Sequence, residues 1–269
     1  MIANNLANQD TNGFKKDLPA FKEYLSSLER DHERGFVHTG PVKDKDLNPI
    51  YDKDQSHVIV NGTHTNFKQG PMKITKNSLD VAIEGPGLIE ISTPSGIRYT
   101  RVGNFKLSES GKLVTQDGFP VLLSRPGGLA TGNETDPNNP IKPGSIDDPS
   151  TVSRHINLGD RGNISITHEG EIYSDADLIG KIALVEFTNP NFLQKTGLQQ
   201  FENKNIAQNQ PIEPQKSKLH QGMLEGSNVN PIEEMTNLIK ANRMFELDMK
   251  AMKTYSEMMS KEANDLGRL

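Results

Sequence analysis

From Met235 onward, apolar side chains recur in alternating steps of three and four. The series runs Met235, Leu238, Phe245, Met249, Met252, Met259, Ala263 and Leu266, with Asn242 and Ser256 as polar interruptions. That spacing predicts one amphipathic helix over residues 232–266, with a heptad seam along it. Asn228 or Asn230 can cap its start, Pro231 suits the first turn, and Glu233 and Glu234 favour the positive end of the helix dipole. At ~1.5 Å per residue the rod is on the order of 50 Å long. A second amphipathic stretch, Leu18, Phe21, Leu25 and Leu28 after the cap Asp17, predicts that residues 1–30 are helical too. Between the two ends, roughly residues 56–205, the period changes to two. Leu79, Val81 and Ile83 alternate with Asp80 and Ala82, and Ile97 and Tyr99 continue the pattern after Pro94-Ser95-Gly96. The middle therefore predicts strands.

Turn chemistry divides those strands. Ser108-Glu109-Ser110-Gly111 separates Leu107 from Leu113, and Thr167-His168-Glu169-Gly170 separates Ile166 from the strand at Ile172. The echo predicts two hairpins of one loop type, with an internal duplication as the alternative. Ile182 to Phe187 is the most continuously apolar strand and predicts burial on both faces. Residues 124–150, with Gly127-Gly128, Asp136-Pro137 and Pro143-Gly144, predict a surface excursion, and residues 203–218 a polar connector.

Composition narrows the function. Thirty basic and 35 acidic residues give a net charge of -5, so no basic excess draws in nucleic acid. The chain has no cysteine, which excludes disulfides, thiol catalysis and cysteine-ligated metals. No apolar run is long enough to insert in a membrane. The start, Met-Ile-Ala-Asn-Asn-Leu-Ala-Asn, lacks the basic and apolar regions of a cleavable signal, so another export route is expected.

The search for chemistry returns no catalytic, cofactor-binding or metal residue. The seven histidines are scattered, and no pair has the spacing of a helical zinc site. Asp44, Asp46, Asp52 and Asp54 are interleaved with lysines and lack the glycine of a calcium loop. Gly85-Pro86-Gly87 begins no phosphate-binding motif. Arg98 and Arg101 beside Tyr99 suit cross-strand pairing better than base stacking. Asp80, Glu84, Glu90 and Asp117 supply carboxylates for a β-rich carbohydrate-acting enzyme, with peptidoglycan as its substrate, without a motif; this is the alternative of another class. A long helix with an unsatisfied seam, and no active site, points to an assembly protein. Six of the nine methionines lie on that helix, which suits an adaptable contact surface.

Three motifs in order carry a family resemblance. The first is Ile2-Ala3-Asn4-Asn5-Leu6-Ala7-Asn8 with Thr11-Asn12-Gly13-Phe14-Lys15. The second is Leu79-Asp80-Val81-Ala82-Ile83-Glu84-Gly85, then Tyr99-Thr100-Arg101-Val102-Gly103-Asn104-Phe105 and Gly111 to Leu122. The third is Gln221 to Asn230, then Glu233-Glu234-Met235 and Arg243-Met244-Phe245-Glu246. Together they resemble the flagellar axial proteins, the rod and hook family. Residues 243–254 look most like the proximal-rod branch, with distal rod or hook as alternatives. The family usually has about 20 further residues before the first motif, so the N-terminal segment is expected to be shortened here.

The resemblance implies a structural subunit of the flagellar rod, not an enzyme, without cofactor. It implies self-assembly with other axial subunits, and export by the flagellar type III apparatus into a periplasm-spanning rod. It also implies an α+β fold, in which a central all-β domain is flanked by N- and C-terminal helical segments that pair as a coiled coil. The expected division is 1–30 helical assembly segment, 31–75 linker, 76–205 β-rich outer domain, 206–231 connector and 232–269 C-terminal helix. The expected assembly residues are Asn4, Asn5, Leu6, Asn8, Met235, Leu238, Asn242, Phe245, Met249, Met252 and Met259.

Overall fold

The structure, a computed structural model, describes residues 1–24, 57–125, 153–159, 163–175, 177–197 and 199–266. A short helix α1 (Ile2–Ala7) opens the chain. Strands β1 (Asp17–Tyr24), β2 (His57–Thr65), β3 (Met72–Ile74), β4 (Val81–Glu84), β5 (Leu88–Thr93) and β6 (Gly96–Thr100) follow. Next come β7 (Lys106–Leu107), β8 (Leu113–Val114), β9 (Ile164–Ile166), β10 (Glu171–Ser174), β11 (Asp177–Lys181) and β12 (Leu184–Phe187). The last strands are β13 (Leu193–Lys195), β14 (Gln200–Asn203), β15 (Pro211–Ile212), β16 (Lys218–Gln221) and β17 (Met223–Glu225), and helix α2 (Pro231–Leu266) ends the described chain. The residues fall into two compact units, 1–16 with 66–269, and Asp17–Thr65.

In the larger unit the main sheet has six antiparallel strands in the order β13-β14-β6-β5-β12-β15. Strands β5 and β12 are buried along their whole lengths, as the apolar run at 182–187 predicts. One face of each strand meets the main core. There Ile89, Ile91 and Leu184 pack with Val81, Ile83, Val121, Ile156, Ile172 and Leu219. The other face meets a second core of Leu88, Tyr99, Val185, Phe187, Leu193 and Phe201. Tyr99 stands edge-on to Phe187, with ring centroids 4.8 Å apart. Alternation along one strand thus serves two cores at once.

The two expected hairpin loops share one hydrogen-bond pattern. Ser108 N–H donates to Lys112 O and Gly111 N–H to Ser108 O; Thr167 N–H donates to Glu171 O and Gly170 N–H to Thr167 O. Both glycines have positive φ, 73° and 90°. Between β6 and β7 the backbone makes its closest approach. A Cβ on Gly103 would stand 1.7 Å from the Val81 carbonyl oxygen, so only glycine fits.

The smaller unit corrects the expected fold class. Residues Asp17–Tyr24 are not helical: they form β1, paired antiparallel with β2, with a bulge where Ala20 faces Gly62 and Phe21 faces Val60. Leu18 and Phe21 fit a helical spacing, but Pro19 lacks the N–H a helix interior needs, and β-branched Val58, Ile59 and Val60 supply a strand partner. The N-terminal helix is only six residues long, too short to stand alone. The molecule is mostly β-sheet with one long C-terminal helix, and its two ends do not pair as a coiled coil. Leu25, Leu28, residues 31–56 of the expected 31–75 linker with the four aspartates, and most of the expected 124–150 excursion lie outside the described residues.

One buried carboxylate organises the chain's return from the main sheet. Glu186 on β12 accepts from the backbone N–H groups of Gln215, Lys216 and Ser217 and from the Ser217 hydroxyl, at 2.7–3.1 Å. Burial pushes its pKa up, and the four donors together outweigh that and hold it below the usual 4.5. Because the folded-state value is depressed, its contribution to stability is present above pH 4.5 and is lost as pH falls toward that lower value. Glu186→Gln should cost about 2 kcal/mol at neutral pH. In urea unfolding against pH, the gap between variant and parent should close below pH 4.5.

Candidate assembly site

Three distant segments converge where the β-rich unit gives way to α2. Lys15 follows the turn after α1, Arg101 follows β6, and Glu225 ends β17. All three are buried, at 1%, 3% and 2% exposure. The Glu225 carboxylate accepts from Lys15 Nζ at 2.6 Å, from Arg101 Nε at 2.5 Å and from the Gly70 N–H at 2.7 Å. Lys15 also donates to Lys68 O, and Arg101 to Gly87 O and Ile83 O. Two buried cations thus share one carboxylate, and carbonyl oxygens take the donors left over. Burial, reinforced by the neighbouring Arg101 charge, lowers the Lys15 pKa below 10.5, against the pull of Glu225.

A second set of contacts fixes the start of α2. Lys16 Nζ pairs with Glu234 at 2.7 Å and Glu233 at 3.2 Å, and its hydrogen bond to Glu234 raises its pKa. Asn228 accepts from Lys16 N–H and donates to Asn66 O and Lys68 O. Asn230 caps the helix by accepting from Ile232 N–H at 3.1 Å. Phe14 is buried beneath the Lys195 ammonium, 3.8 Å from the ring centre. Gly13, at φ 70°, donates to Glu225 O while its Cα faces the Val102 backbone; an added Cβ would meet that backbone at 3.0 Å.

The expected assembly residues fall in two places. Asn4, Asn5, Leu6 and Asn8 lie in or just after α1. Asn5 is buried and donates to Glu234 Oε2 at 3.5 Å; Asn4 is exposed, and Leu6 and Asn8 are half-buried. Asn8 donates to Asn4 O and accepts from the Thr11 hydroxyl, closing the turn after the helix. Met235, Leu238, Asn242, Phe245, Met249, Met252 and Met259 lie along α2. Leu238 is half-buried and the rest are exposed, Phe245 at 66% and Met252 at 61%.

Sequence reasoning passed over two features. Met244, Leu247, Ala251, Thr254 and Met258 form a second series of three- and four-residue steps, also exposed, on the opposite side of α2. The same periodicity would have found it. The Lys15–Glu225–Arg101 cluster had no such signal, since its partners stand 210 and 124 positions apart. Arg101, expected to pair across strands, is turned inward to Glu225 instead. Among the described residues, no group of three or more His, Cys, Asp or Glu is placed to hold a metal, and no helix is long and apolar enough to cross a membrane.

Residues 82–174 match the D1 domain of the flagellar hook protein FlgE/F/G family, and residues 220–266 the C-terminal domain of the flagellar basal body rod FlgEFG proteins. The flagellar basal-body rod protein FlgG of Buchnera aphidicola subsp. Schizaphis graminum is 32% identical over 267 residues, which cover 97% of this chain and 91% of that protein. This chain belongs to the flagellar rod and hook family. It is similar as well to the rod protein FlgF of Caulobacter vibrioides, 31% identical over 270 residues, covering 100% of this chain and 91% of that protein. The rod protein FlgG of Bacillus subtilis is 30% identical over 269 residues, covering 98% and 91%. The chain is a structural subunit of the flagellar basal-body rod, a family of axial assembly proteins rather than enzymes. Of the buried cluster, Arg101 lies within the first matched domain and Glu225 within the second, so this contact bridges the two.

Glu225→Gln would leave Lys15 and Arg101 buried against a neutral partner. The expected cost is about 3–5 kcal/mol, read as a lowered urea midpoint at neutral pH. An unchanged midpoint would show that the cluster does not hold the junction.

Proposed function

We propose that this chain is a proximal-rod subunit. In this reading the β-rich residues 76–205 form the outer layer, and α2 is buried among other axial subunits, its own copies included. The subunit leaves the cytoplasm through the flagellar type III export apparatus without a cleaved signal, joins the periplasm-spanning rod and carries torque toward the hook. The observation that carries the reading is α2 itself: 36 residues long, with large apolar side chains exposed on two opposite sides. Burying each such side chain is worth about 1.5–3 kcal/mol, and nothing in the described chain covers them beyond the first turns. Two apolar sides suit a helix with neighbours left and right. Their burial on incorporation would drive the assembly.

The choice of branch rests on residues 243–254. Relatives named FlgG and FlgF stand at nearly equal identity, 32% and 31%, so overall similarity does not separate them. Deletion in the native bacterium, imaged by cryo-electron tomography, decides it. A motor ending at a short rod stub, without distal rod or hook, supports the proximal position; a longer stub places the subunit distally. Intact flagella would overturn the rod-subunit reading.

Charge placed on α2 should separate assembly from folding. Phe245→Asp with Met249→Asp should abolish incorporation, and Met244→Asp with Leu247→Asp should do the same from the opposite side. Neither pair touches the β-rich cores, so urea unfolding of the monomer should be unchanged within about 0.5 kcal/mol. Normal incorporation of both double variants would remove α2 from the interface.

A further inference from the structure

One cleft on the β-rich unit has no part in the junction or in α2. It has a volume of about 330 Å³ and lies between the loop after α1, the segment from β6 to Asn104, the turn after β8 and the start of β14. That is the lower end of the size range of ligand sites. Asp10 and Asp117 stand at its rim, both exposed and, among the described residues, without an ion pair. Its lining contains no lysine, arginine or histidine.

The wall mixes polar side chains with Ile91 and Val102, and two of its carboxamides have unmet capacity. Gln200 is only 6% exposed, yet no hydrogen bond reaches its side-chain carboxamide among the described residues, and it lines the cleft. The Oδ1 atom of Asn104, buried at the same wall, also has no partner. A polar side chain this enclosed and without a protein partner is open to a hydrogen bond from a ligand. Two exposed carboxylates and the free Gln200 carboxamide in one lining, with no cation among them, suit a flat cationic donor. A guanidinium supplies five N–H groups in one plane and cannot lose its charge. An ammonium offers only a point charge, and a hard divalent cation would require more converging carboxylates than Asp10 and Asp117.

We propose that this cleft is a guanidinium-binding site that receives an arginine side chain from a neighbouring subunit. The source of that arginine rests on the rod-subunit reading; the chemistry of the cleft does not. Occupied, the site would tie the outer surface of one subunit to the next, at a place separate from α2.

The test uses the full purified chain, labelled with 15N, titrated with N-acetylarginine amide. Saturable amide shifts are expected at residues 10–12, 104, 115–117 and 199–200. Asp10→Asn with Asp117→Asn should weaken binding by about tenfold or more. The rest of the spectrum should stay in place, since neither side chain holds the fold. N-acetyllysine amide and calcium chloride serve as the other probes. No saturable change with the arginine probe, an equal response to the lysine probe or to calcium, or undiminished binding by the double variant would each overturn the proposal. Because the probe acts on the free monomer, this result is independent of whether the α2 variants enter a rod.

Discussion

The Glu225 carboxylate carries more of this architecture than any other single group. Lys15 brings the end of the N-terminal segment to it, Arg101 brings the middle of the β-rich unit, and Gly70 brings the strand-bearing segment before β3. A buried pair of this kind contributes little net stability against an apolar substitute, but breaking it is expensive. Its value lies in specificity: only one arrangement of three distant segments leaves no buried charge alone. From that point the chain has few residues in which to begin α2, and Lys16, Asn228 and Glu234 use them fully. The positions of α1 and of the helix start both follow from where Glu225 sits.

The β-rich unit and the long helix solve the burial problem in opposite ways. In the former, β5 and β12 are covered on both faces by two cores, so their apolar residues are satisfied within one chain. Along α2, Met244, Phe245, Leu247, Met252 and Tyr255 are each more than 60% exposed. A soluble monomer seldom leaves so much apolar surface unclaimed. The contrast is one of coverage: the β-rich part satisfies its apolar residues within the described chain, while α2 leaves them exposed.

Much of this was legible in the chain. Pro231, the capping asparagines and the three-four spacing mark α2, and period-two alternation with Gly at the turns marks the strands around Leu79 to Val114. Residues 17–24 were not legible, because Leu18 and Phe21 satisfy a helical spacing as well as a strand. The choice was made by a partner strand near residue 60, whose pairing no local window contains. The buried cluster was hidden for a related reason. Lys15, Arg101 and Glu225 each sit in a motif that identifies the family, but a charged residue in a motif gives no sign that it points inward.

The stretch from Gly226 to Asn230 joins a rigid sheet to a helix about 50 Å long. Left free, five such residues would act as a swivel. Instead Asn228 is bonded at both ends of its carboxamide, Ser227 holds the Val229 N–H, and Gly226 donates to Pro71 O. The joint therefore has no slack. In a rotating shaft, a joint without backlash means that a twist applied at the helix is felt at once by the sheet, and a reversal of rotation reaches the β-rich unit without a dead angle.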